Sequence, residues 1–232
     1  MENYEVVDSF RVWNHRMLGR EMHERRTLRA CELLGLPFPP TQLWDRAMQA
    51  GDGFPKLSIT KDRARLIVRP CPPLKEQIAL HPIAIPDPRR YPTAKGPDIA
   101  LLGWLRETAG QQGYDDVILT DPDGFVLEAG HGNIIWAKDG KLMGVDPKRK
   151  VFRGITQRLI FSSGVPYTYG YITPEELFHT QHWVVNSLHG VRRGYDRPLD
   201  SPEAQPCGED QIPWMAQMTE RLWKYYADSP QT

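Results

Sequence analysis

Lys95 leaves a proline-rich connector in the run Tyr91-Pro-Thr-Ala-Lys-Gly-Pro97 and stands just ahead of an apolar segment. A lysine alone signals little, because most sit in water. The residues downstream of it give it meaning. Val117 to Thr120 and Phe125 to Leu127 are β-branched and aromatic runs joined by Asp121-Pro-Asp-Gly124, which predicts a hairpin with a carboxylate, Glu128, at its far end. Ala-Gly-His-Gly-Asn133 comes next, its glycines allowing close approach of backbone to a ligand, and then an apolar strand, Ile134 to Ala137. Further on, Gly154-Ile-Thr156 opens a helix pattern, where Gly154 permits close contact and the free amides of Ile155 and Thr156 can face an anion. The chain thus sets an amine, a carboxylate and a candidate anion cradle one after another.

The remaining chain must position them. Tyr4 to Trp13 reads as a strand, Asn14-His15-Arg16 as a turn, and Glu21 to Leu34 as a helix stopped by Gly35. That helix carries Arg25, Arg26 and Arg29, a cluster whose bland reading is a solvated face. Leu57 to Val68 reads as two strands about Lys61-Asp-Arg63, ended by Pro70, Pro72 and Pro73. Pro82 to Pro92 reads as a linker, which puts Lys95 at a junction of the kind ligand sites favour. Ile99 to Gln111 reads as a buried helix with Asp98 as its N-cap. His182 to Val185 is an apolar strand running into Asn186-Ser-Leu-His-Gly190, and Trp214 to Ala227 is a packing helix whose Met215, Met218, Leu222 and Tyr226 form a stripe available to a partner subunit.

Composition narrows the class of function. The 232 residues suit one large domain or two small ones, and the 29 basic residues balance the 29 acidic ones, so the electrostatic footprint of a nucleic-acid binder is missing. Cys31, Cys71 and Cys207 are scattered without C-x-x-C pairing, and His131, His182 and His189 share no ligand spacing. These argue against a disulfide framework and a metal site and fit a cytoplasmic setting. No apolar run is long enough to span a bilayer.

Lys95 followed by Glu128-Ala-Gly-His-Gly-Asn-Ile-Ile-Trp136 resembles, in order and spacing, the class IV (fold type IV) pyridoxal-phosphate enzymes: branched-chain and D-amino-acid aminotransferases and aminodeoxychorismate lyases. Asp8-Ser-Phe-Arg-Val12 and His23-Glu-Arg-Arg26 resemble the family's opening strand and its H-x-x-R-L helix, with Thr27 in place of leucine. Gly154-Ile-Thr-Gln resembles G-I-T-R, and Asn186-Ser-Leu-His-Gly-Val191 resembles a segment of the lyase-like members. The resemblance spans about residues 6 to 193. It implies a mixed α/β (α+β), two-domain fold: a small α/β N-terminal domain over 1–85, a proline-rich linker over 86–92, and a larger, barrel-like C-terminal domain over 93–232.

It also implies pyridoxal 5'-phosphate as cofactor, Lys95 as the Schiff-base lysine and proton-transfer base, and Glu128 against the pyridine nitrogen. Arg26, Gly154, Ile155, Thr156 and Ser187 would hold the phosphate. Arg69, Arg192 and Arg193 are candidates for a substrate carboxylate. The function expected first is an aminotransferase working between an amino acid and a 2-oxo acid. Aminodeoxychorismate lyase is the alternative, and a non-enzymatic binding protein keeping the fold ranks third. A homodimer is expected, with no membrane or nucleic-acid partner.

Overall fold

The computed structural model describes residues 4–228. β1 (Val6–Ser9), β2 (Val12–Trp13) and β3 (Arg16–Leu18) lead into α1 (Arg20–Leu34), α2 (Gln42–Gln49), β4 (Lys56–Ile59) and β5 (Ala64–Ile67). The single strand expected over Tyr4 to Trp13 is divided. β1 pairs with β4, whereas the Arg11 amide donates to the Ser187 carbonyl at 3.0 Å, and β2 pairs with β3 instead. β1, β4 and β5 form an antiparallel sheet in the order β1-β4-β5. Val6, Phe10, Leu57 and Ile59 from this part of the chain close a core with Trp44 and Met48 of α2 and Cys31 of α1. Gly35, at φ 63°, ends α1 as expected, since that left-handed conformation suits a residue without Cβ.

The second half adds β6 (Gln77–Ala79), β7 (Ile85–Pro86), α3 (Ile99–Gly110), β8 (Ile118–Thr120), β9 (Val126–Ala129), β10 (Asn133–Lys138) and β11 (Lys141–Val145). α4 (Ile155–Ser162), β12 (Tyr167–Gly170), α5 (Pro174–Phe178), β13 (His182–Asn186) and β14 (Gly190–Tyr195) come after these. A 3-10 turn at Pro213–Gln217, α6 (Met218–Tyr226) and β15 (Ala227–Asp228) close the chain. A six-stranded sheet runs β12-β11-β10-β13-β14-β6. Its inner strands are antiparallel, and β12 and β6 join parallel at the two edges. Both faces of β10 are buried, which is why its sequence is a continuous apolar run and not an alternating one. Ile135 and Ala137 face α4 and α6, while Ile134 and Trp136 face the β7-β8-β9 sheet. Each such side chain contributes about 1.5–3 kcal/mol of burial free energy.

The hairpin is as expected: Gly124, at φ 85°, donates to the Asp121 carbonyl, and the Asp121 carboxylate accepts from the amides of Asp123 and Phe125. Two expectations fail. β7 lies inside the segment read as a bare linker, because Ile85 finds a parallel partner in Leu119. And the stripe of the last helix offers no spare surface: Met215, Met218, Leu222 and Trp223 are buried in the chain's own core beside Ile135, Ile155 and Trp183. No helix among the described residues is long and apolar enough to cross a membrane.

Candidate active site

One cavity of about 360 Å³ gathers most of the chemistry-bearing residues. Lys95, Arg26, Glu128, Gly154, Ile155 and Ser187 line it, as do Arg69 and Arg192. Lys95 is presented by a tight turn. Ala94 donates to Tyr91 and Ile99 to Gly96, and the Val7 amide of β1 donates to the Lys95 carbonyl at 2.8 Å. Gly96 is required, since at φ 140° it lies where a Cβ would strike the backbone carbonyl of Glu5. Asp98 sits at the N-cap position of α3 without capping it. Its carboxylate folds back to accept from the amides of Arg90 and Tyr91 at 3.3 and 2.9 Å, stapling the turn that carries Lys95.

The Lys95 amine makes no hydrogen bond or ion pair among the described residues, and the half-buried residue lines the cavity. Burial, reinforced by Arg26, draws it well below the usual lysine range to about 8, against the pull of Asp8. Such an amine gives up its proton near neutrality, as a nucleophile must.

Glu128 is buried in β9. Its Oε1 accepts from Arg89 Nη2 at 2.7 Å and from the Phe152 amide at 2.9 Å, while Oε2 receives nothing from the described residues. Arg89 is also held in a two-pronged contact with Asp87, both bonds 2.8 Å. Burial pushes Glu128 up to about 6, the Arg89 charge holding it from rising further. The carboxylate is therefore fixed through one oxygen and open through the other.

Arg26 is the residue of α1 that reaches the cavity. It bonds Asp8 of β1 and lies over the Phe152 ring, 4.7 Å from its centroid. Asp8 also meets His23 Nδ1 at 2.8 Å. Burial works to raise the Asp8 carboxyl, but His23 and Arg26 outweigh it and hold the group well below the usual carboxylate range. Burial keeps His23 neutral, with its Nδ1 proton toward Asp8, so Nε2 is an acceptor facing Ser187 Oγ at 3.5 Å. At the neighbouring wall, a Cβ on Gly154 would land on Asn133 Oδ1. That side chain is fixed by its 2.7 Å bond to the Phe152 carbonyl, so only glycine fits, and α4 begins with no side-chain cap on its amides.

Residues 5–194 match the family model described as Amino-transferase class IV. The chain belongs to that family. Among its relatives is the bifunctional aminodeoxychorismate lyase / D-amino acid transaminase of Mycobacterium tuberculosis (strain ATCC 25618 / H37Rv), 25% identical over 227 residues, covering 79% of this chain and 78% of that protein. Among solved structures, a hypothetical aminotransferase from Mycobacterium tuberculosis in its alpha-ketoglutarate and PMP bound form superposes with a TM-score of 0.77 at 22% identity, covering 94% of this chain and 88% of the other. A branched-chain aminotransferase from the archaeon Thermoproteus uzoniensis, with norvaline, gives 0.77 at 18% identity, covering 95% and 84%. At these identities the superpositions establish the common fold type IV architecture.

In this class IV chain not every expected site residue meets the cavity. Thr156 is buried on the inner side of α4 and is not among the lining residues. Arg193 points away altogether: alternation along β14 turns it to the other face, where it donates to the carbonyls of His182, Cys207 and Gly208. Arg69 lines the cavity, stacked on Phe54 at 4.7 Å and bonded to the Phe54 carbonyl. The sequence reading missed Arg89, whose partner Glu128 is 39 residues on, and missed that Asp8 anchors Arg26. An acidic residue inside a strand otherwise apolar, as Asp8 is in Val-Val-Asp-Ser9, was the available signal.

Proposed function

We propose that Lys95 is the catalytic residue of an aminotransferase reaction between an amino acid and a 2-oxo acid, with Glu128, Arg26, Gly154, Ile155 and Ser187 holding pyridoxal phosphate. Enzymes of the class IV family depend on that cofactor. The observation that carries the reading is Lys95 itself, an enclosed amine without a partner, drawn down to about 8, sharing one cavity with a carboxylate whose second oxygen is open. The cradle fits the group: the uncapped amides of α4, the glycine that Asn133 demands, and a guanidinium already oriented by Asp8 suit a phosphate. Thr156 would contribute its amide and not its side chain.

When bound, pyridoxal phosphate supplies a carbonyl carbon for amines and a ring that accepts electrons from the substrate Cα. The Lys95 amine would be the base that moves the proton between the substrate Cα and the cofactor's carbonyl carbon, which its lowered basicity permits. Glu128, through Oε2, would accept from the protonated ring nitrogen and keep it charged. Arg26 and the free amides of Ile155 and Thr156 would anchor the phosphate, and Ser187, whose hydroxyl donates to His23 Nε2, would offer its backbone amide beside them.

The second reading, aminodeoxychorismate lyase, is favoured by the Asn186-Ser-Leu-His-Gly-Val191 loop and by the relative that carries both activities. Asn186 stiffens that loop, accepting from Leu188 and His189 and donating to the His131 carbonyl. The chain is further proposed to work in the cytoplasm, where its exposed Cys71 thiol stays reduced, and as a homodimer, which sedimentation velocity at micromolar concentration checks. The division at residues 86–92 is proposed on the linker's composition, with the qualification that β6, from the N-terminal side, completes the six-stranded sheet.

Borohydride treatment of the cofactor-loaded protein is expected to fix cofactor mass on the peptide containing Lys95. A label on another lysine, or a label on Lys95→Ala, refutes the assignment. Turnover with amino donors beside turnover with aminodeoxychorismate separates the two reactions.

A further inference from the structure

Ser187 lines the cavity, and its hydroxyl has one proton to give. That proton is spent on His23 Nε2, 3.5 Å away, so the oxygen keeps only lone pairs for any other neighbour. Lone pairs repel an anion. A hydroxyl placed in an anion cradle becomes a ligand only if its proton can be turned round, and that needs a donor behind it.

His23 is placed to become that donor. Its ring is 0% exposed, lies edge-on to Phe10 with centroids 5.2 Å apart, and meets Asp8 through Nδ1 at 2.8 Å. Asp8 is equally buried, also bonds Arg26, and remains a carboxylate despite its burial. Asp8 on β1, His23 on α1 and Ser187 after β13 are thus three hydrogen-bonding groups in series that end at the cavity. Among the described residues, Ser187 is the neighbour of His23 that both lines the cavity and can pass a proton.

The charges facing the ring decide its state. Burial lowers His23 below its ordinary value and Asp8 pulls the other way, while Arg26, whose Nη2 lies 3.2 Å from Nδ1, and Lys95 oppose another positive charge. A dianion seated against Arg26 and the first amides of α4 offsets that opposition, leaving the ring between two negative charges.

We propose that His23 is a positioning residue: when a dianion enters the cradle, His23 takes up one proton, donates from Nε2 to Ser187 Oγ, and so turns the Ser187 O–H toward the anion. This rests on the reading of the cradle as the site of the cofactor phosphate. The added proton comes from solvent, the Ser187 proton stays on its oxygen and changes direction only, and Asp8 stays ionised. Since occupancy raises the proton affinity of the ring, anion affinity is greatest at low pH. It falls, by up to about tenfold per pH unit, as pH rises through the value of the occupied state.

The test is isothermal titration calorimetry of the cofactor-free full chain with sulfate, a dianion that does not itself titrate near neutrality, in buffers of different ionisation enthalpy at about pH 7.5. Lys95→Met is the background, because the Lys95 amine, at about 8, also takes up a proton beside an anion. About one proton is expected to enter per sulfate bound, and adding His23→Gln abolishes the uptake and weakens sulfate about tenfold. Ser187→Ala weakens sulfate several-fold and cuts the uptake. A histidine that only fills space moves neither quantity. Nitrogen NMR of the histidine-labelled Lys95→Met chain covers the case in which His23→Gln does not fold: one solvent-shielded ring goes from singly to doubly protonated as sulfate is added. Sulfate that does not bind, binding without uptake, uptake unchanged in His23→Gln, or seven histidine rings that all keep their state overturns the proposal. Borohydride labelling of the pyridoxal phosphate-loaded wild-type chain keeps the two readings apart. A label on Lys95 without proton uptake on sulfate removes the role of His23 alone, and proton-coupled sulfate binding without that label removes the cofactor assignment and leaves His23 as proposed.

Discussion

The Glu128 and Arg192 sides of the cavity each bury a charge, and they treat it in opposite ways. Glu128 meets Arg89 and a backbone amide, and Arg89 meets Asp87, so the chain supplies its own counter-charges. Arg192 has nothing within hydrogen-bonding reach for two of its nitrogens. A buried charge that the protein pairs for itself holds a shape, whereas one left unpaired costs desolvation without that return. Removing a partner should therefore be costly on the first side and harmless on the second.

The largest effect is expected from Arg89→Met, which strands Glu128 in the interior. Losing one member of a buried pair costs about 3–5 kcal/mol, read by urea denaturation of the cofactor-free protein. Adding Glu128→Gln should recover much of that stability while turnover stays low at saturating cofactor, because an amide cannot keep the ring nitrogen protonated. If Glu128→Gln turns over normally, the carboxylate is structural only and the contrast collapses.

Next in size is Arg26→Ala. A charge-assisted contact to phosphate accounts for about 1.5–3 kcal/mol, or roughly ten- to a hundredfold in cofactor affinity, with much of the rate returning at saturation. An unchanged cofactor dissociation constant would mean that Arg26 serves only Asp8.

The smallest effect is a pH dependence. With Lys95 drawn to about 8, the rate of cofactor loading should fall about tenfold per pH unit below that value, since only the neutral amine reacts. The lowered value also means that the folded chain sheds a proton which the unfolded chain keeps up to 10.5, so this contribution to stability is complete above 10.5 and is lost as pH falls through about 8. Lys95→Met should lack it, and a stability difference between the two proteins that is flat from pH 8 to 10.5 would contradict the shift.

The motifs around Lys95, Glu128 and Gly154 were legible because local chemistry writes them: a connector, a hairpin with proline and glycine in its turn, and a glycine at a helix start. Arg89 was not, because an arginine in a proline-rich connector looks solvated until the fold sets it against a carboxylate 39 residues later. Arg193 was misjudged beside Arg192 because neighbours on a strand face opposite sides, and only the register with β13 says which side is the cavity. The last helix misled in another way. Its stripe was read correctly as apolar, but a sequence does not say whether a surface is buried by its own chain or by another.

The bond from the Val7 amide to the Lys95 carbonyl carries a consequence for synthesis of the chain. β1 emerges early and Lys95 much later, yet the turn that aims the amine is completed only when the two meet and Gly96 slips against Glu5. A nascent or truncated chain lacking either piece has a lysine like any other, solvated and protonated. On the proposed role of Lys95, its reactivity toward an aldehyde would therefore follow completion of the fold.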